Sequence, residues 1–138
     1  MTSTARIAAL RYCLIGTGVI FTFGIFPLTQ LWPSGWSWSA AHSHYLPMII
    51  GVYATLGVCL IAAARDPLAN RSLIWFTVWS SVVHAVIMAA EAIMDPTQVG
   101  HLFGDVPALI LVAVVLGVLT PRGAEVRALS DLGARRAA

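Results

Sequence analysis

Four long apolar runs divide this chain, and the polar stretches between them are short. A helical run of about 20 apolar residues, rising ~1.5 Å per residue, crosses the ~30 Å of hydrocarbon in a bilayer. In that medium each backbone N–H and C=O must be satisfied within the chain, so the runs must be helices. Only 10% of the 138 residues are charged and 59% are hydrophobic, whereas a soluble domain carries roughly 25% charged residues. The sequence therefore predicts an all-α, four-helix transmembrane bundle that forms a single domain over residues 1–138. The expected spans cover about 7–32, 45–64, 72–94 and 104–120, followed by an Arg/Ala-rich amphipathic tail over 124–138.

The first run is too long for the apolar region of a signal peptide and ends at no small-residue cleavage site, so it is expected to stay as a span. Pro27 is expected to kink or end its helix, because it lacks an N–H and crowds the preceding turn. Trp32, Trp36 and Trp38 stand among Pro33, Gly35 and several serines, as in an interfacial aromatic belt.

Orientation is read from the arginines. Arg6, Arg11, Arg65, Arg71, Arg122, Arg127, Arg135 and Arg136 are the eight basic residues of the chain. All fall on one side of a four-span arrangement, which predicts both termini in the cytoplasm. No basic stripe with interleaved aromatics points to nucleic acid. Cys13 and Cys59 make no disulfide framework and read as small core residues.

On the third run Thr77, Ser81, His84, Met88, Glu91 and Asp95 recur at steps of four and three and share one helical face. Ionisable groups inside a span face the bundle or a water-filled cavity. This face is thus expected to meet protein, leaving Val78, Val82 and the Ala85 side freer to meet lipid. The second run has a weaker counterpart in His44, Met48, Gly51, Thr55 and Cys59, with both methionines expected in the core. Gly16, Gly18 and Gly24 on the first run would allow helices to approach closely.

All four histidines, with Glu91, Asp95 and Asp105, gather in the arginine-free half. Imidazole and carboxylate together suit Zn, Cu or Fe, and bundle cores build such sites from facing helices. The candidate metal ligands are His42, His44, Glu91, His101 and Asp105, with His84 as a deeper cofactor ligand or proton acceptor. The same residues also have local explanations. His42 and His44 can cap the second span, His84 can bond a neighbouring helix, Asp95 before Pro96 can end a helix, and His101 with Asp105 can form an i, i+4 pair. No nucleophile elbow or phosphate-cradling loop occurs, and the sequence leaves enzymatic activity open.

The stretch from Arg65-Asp66-Pro67 through Trp75, Trp79 and His84, together with Gly104-Asp105-Val106-Pro107, resembles an uncharacterised family of small bacterial inner-membrane proteins. That resemblance implies a bacterial inner membrane and a four-span fold, and carries no activity with it. The leading expectation is a membrane protein whose periplasm-facing His/carboxylate cluster binds a transition metal or cofactor. The alternatives are a non-catalytic accessory subunit of a larger respiratory, photosynthetic or oxygenase complex, with haem or pigment on His84, and a small proton-coupled carrier using Glu91 and His84. The bilayer is the expected partner, with a homo-oligomer or larger membrane complex beyond it.

Overall fold

The computed structural model describes residues 3–37 and 45–123, and structural statements below concern these residues. The first helical stretch runs through α1 (Ser3–Val19), a π-helical turn (Ile20–Gly24) and α2 (Ile25–Leu31). A short turn of helix, α3 (Pro33–Trp36), folds at its end. Then come α4 (Tyr45–Ala63), α5 (Arg71–Met94), a 3₁₀ segment (Pro96–Leu102) and α6 (Asp105–Leu119). The stretches Ser3–Leu31, Tyr45–Ala63, Arg71–Met94 and Pro96–Leu119 are each long and apolar enough to cross a membrane. This is a multi-span membrane protein built as an all-α bundle.

The helices do not form a symmetric ring. α1 packs on both α4 and α6, α6 carries α5 along its length, and α4 and α5 touch only lightly. Leu10, Leu14, Phe21, Leu60, Ile74, Val78, Ala113 and Leu116 form the apolar core between them. Phe23, Phe76, Trp79, Leu111 and Val114 point outward and are exposed. A helix that is apolar on its outer face as well belongs in lipid.

Of the two outcomes expected at Pro27, it does not end its helix, which continues to Leu31. The widened π-helical turn lies just before it, and the looser spacing accommodates a ring that would otherwise meet the carbonyl four residues back. Backbones come closest where α1 crosses α4. A Cβ on Gly18 would lie 2.6 Å from Ile61 Cγ1 and 2.7 Å from the Gly57 carbonyl oxygen, and one on Gly57 would strike Thr22 Oγ1. Gly18 therefore serves the close approach foreseen for it. Gly16 meets nothing, and Gly24 meets only Ile20 of its own helix.

The face read on α5 holds for Thr77, Ser81 and Met88 and is corrected elsewhere, and the one read on α4 is overturned. On α5 the buried positions are Ile74, Thr77, Val78, Ser81, Ala85, Met88 and Ala92. Val78 and Ala85, expected toward lipid, are inside, while Glu91 and Asp95 are exposed. On α4, Met48, Gly51, Thr55 and Cys59 are all exposed, so that stripe faces outward and neither Met48 nor Cys59 is a core residue. The turn to the interior is set by which face α6 and α1 cover, and those contacts are long-range in sequence.

Candidate functional site

α6 is 15 residues long, or ~22 Å, which falls short of the bilayer core. The 3₁₀ segment before it makes up the difference by packing against the end of α5 and against α3. This fit needs glycines. A Cβ on Gly100 would strike the Ser34 carbonyl, and one on Gly104 would strike that of Gly35. The two loops therefore stack backbone on backbone and roof the bundle at its arginine-free end.

Under that roof His101 is fully buried and Asp105 is 7% exposed. The Asp105 carboxylate accepts through Oδ2 from His101 Nδ1 at 2.9 Å. Its other oxygen, Oδ1, is buried with no hydrogen-bond partner among the described residues, as is the indole N–H of Trp36 in α3. Buried polar atoms are nearly always bonded, so an unsatisfied carboxylate oxygen marks a place where something polar is to be received.

A second pair lies deeper, where α4 and α5 meet. The Tyr53 hydroxyl and His84 Nδ1 are 3.0 Å apart, and the direction of that bond follows the imidazole tautomer. Phe21 of the π-helical turn holds the Tyr53 ring edge-on at a centroid distance of 4.9 Å, and His84 lies 5.8 Å from it on centroids. Three spans thus contribute polar groups to the interior: Tyr53 from α4, His84 from α5, and the pair His101 and Asp105 from the last span and the 3₁₀ segment that leads it.

Among the described residues, no three His, Cys, Asp or Glu side chains gather where they could hold a metal ion. Glu91, His101 and Asp105, proposed together as ligands, do not form such a group, because Glu91 sits on the exposed face of α5 while the other two pair inside. His42 and His44 lie outside the described residues. Asp95 serves as a turn residue, its Oδ1 accepting from the Thr97 backbone N–H at 2.9 Å and the Thr97 hydroxyl at 2.7 Å. The hydroxyl bond, then the backbone bond, hold this carboxyl below the usual carboxylate range.

Tyr53 is the participant that the sequence reading passed over. One signal was available: a tyrosine far from either end of its span is out of place, since Tyr gathers at membrane interfaces. The profile of a family of unknown function, DUF6632, matches residues 4–136, and the chain belongs to that family. No curated protein and no solved structure matches it.

Proposed function

We propose that this member of a family of unknown function is a small proton-coupled carrier whose interior site exchanges protons through Tyr53, His84, His101 and Asp105. The observation that carries the reading is the buried Asp105 carboxyl, with one oxygen on His101 and the other unsatisfied. Inside a span an ionisable group is expensive and is kept where an ion or proton must be handled. Here the imidazole–carboxylate pair and the tyrosine–imidazole pair supply donors and acceptors that reverse roles when a proton moves. Glu91, exposed beyond His84 on the same helix, gives the site an acidic neighbour. The arginines favour both termini on the cytoplasmic side, and in the bacterial inner membrane that the family resemblance implies this turns the roofed end toward the periplasm.

A second reading is favoured by one feature of His84. Tyr53 holds the ring through Nδ1, which fixes its orientation and leaves the other nitrogen for a ligand. An accessory subunit carrying haem or a pigment on His84 would be built in this way.

Infrared difference spectroscopy on the reconstituted full chain separates these readings. Stepping between about pH 5 and pH 9 is expected to give a carboxyl band lost in Asp105→Asn and imidazole bands lost in His84→Gln. If neither residue exchanges a proton over that range, the carrier reading fails. A visible absorption band in the purified protein that is lost in His84→Gln would favour the accessory-subunit reading.

A further inference from the structure

At the opposite end of the molecule, α1 and α4 separate beyond their glycine crossing and leave an open groove of about 820 Å³. Its deep end is closed where Ile61 packs on Gly18. Ile15, Ile61, Leu68 and the outward-facing Tyr12 line its length, and Arg11 and Arg65 stand at its mouth. The groove is apolar inside and doubly cationic at the rim.

The two guanidinium groups are set differently from their neighbour Arg6, which is spent on backbone carbonyls of the last helix. Arg11 reaches across the groove, and its Nη2 donates to the Arg65 carbonyl at 3.3 Å. That bond anchors one edge of the guanidinium and leaves the rest of its fork of donors to point elsewhere. The adjacent Asp66 turns one carboxylate oxygen back on its own loop, Oδ1 accepting from the Ala69 backbone N–H at 3.1 Å. Neither Arg11 nor Arg65 has a carboxylate partner among the described residues.

We propose that this groove is a docking site for an anionic phospholipid. The phosphate sits on Arg11 and Arg65, and one acyl chain lies along Tyr12, Ile15 and Ile61. Paired guanidiniums match phosphate geometry, and basic pockets between spans, opening at the membrane surface, suit acidic headgroups with the chain still in the lipid phase. A net-negative lipid is selected over a zwitterionic one because no acid in the groove repays a headgroup cation.

Native mass spectrometry on the full chain, delipidated in mild detergent and offered equal phosphatidylglycerol and phosphatidylcholine, tests this. The wild type is expected to retain phosphatidylglycerol at least fivefold over phosphatidylcholine. Arg65→Gln, which removes an exposed side chain with no carboxylate partner among the described residues, should bring that ratio close to one. Ile15→Trp fills the groove with both arginines intact and should lower retention of either lipid. In parallel, phosphatidylglycerol should raise the wild-type melting point while inorganic phosphate at the same concentration does not. An unchanged ratio in Arg65→Gln, undiminished retention in Ile15→Trp, or equal stabilisation by inorganic phosphate would each overturn the proposal.

Discussion

His101 and Asp105 are four residues apart, yet their pairing depends on a roof that residues 32–36 complete from the other end of the chain. Removing one partner of a buried hydrogen-bonded pair leaves the other unsatisfied, at a cost of about 1–3 kcal/mol. His101→Ala should therefore lower the thermal midpoint markedly. The loss should be equal in chelator and in excess Zn²⁺ or Cu²⁺, since no metal-holding group gathers around His101 among the described residues. A loss confined to metal-containing buffer, as expected when metal binds only the folded state, would restore a metal site that draws on His42 or His44. At this scale the sequence was legible for chemistry but not for partners. Glu91, His101 and Asp105 all stood out as ionisable groups in apolar runs, and only the last two meet. Tyr53, with one hydroxyl on an otherwise apolar ring, did not stand out, and it is the residue that His84 bonds.

Helices are where periodicity helps most, and where its limit shows. A wheel fixes which residues share a face, and the α5 set at steps of four and three is geometrically sound. It does not say which way that face points, and on a helix apolar all round the polar residues need not mark the inside. The interior of α5 is centred on Ala85 and Ser81, so Thr77, Ser81 and Met88 are buried while Glu91, at the rim of the face, is not. On α4 the inside includes Gly57, where the backbone of α1 must pass, while the equally small Gly51 faces outward. Gly57→Ala should cost about 1–3 kcal/mol, the range for forcing bulk into a filled contact, since the new methyl would meet Thr22 Oγ1. Gly16→Ala, on the same helix pair but facing open space, should change stability little. Equal melting of the two variants would contradict the close α1–α4 crossing.

Across the whole molecule, the four-helix plan was the most legible level, because hydrocarbon thickness and backbone hydrogen bonding leave a long apolar run few alternatives. The order of packing was not legible, with α1 between α4 and α6 while α4 and α5, though consecutive, barely touch. The closure of the bundle also comes from side chains that orientation arguments treat as mere charge. Arg6 donates to the carbonyls of Val118 at 2.9 Å, Leu119 at 3.1 Å and Thr120 at 3.3 Å. These are the carbonyls that a helix leaves unpaired at its C-terminus, where its dipole also favours a cation. Arg6→Gln keeps a donor but loses the fork and the charge, and should lower stability by about 1 kcal/mol. Removing the whole side chain in Arg6→Ala should cost more. Thermal midpoints in detergent would rank the two, and an unchanged Arg6→Ala would show that the clasp contributes nothing.

That clasp joins residues 112 to 114 positions apart, which gives the protein's birth on the ribosome a definite order. α1 can find α4 as soon as the second span enters the bilayer, but the carbonyls of Val118, Leu119 and Thr120 that Arg6 grips are made only with the last span. Until then Leu10 and Leu14 lack Leu116, the partner from α6 that completes their core. A chain that stops short of its final helix lacks this clasp and keeps an uncovered seam beside Leu10 and Leu14.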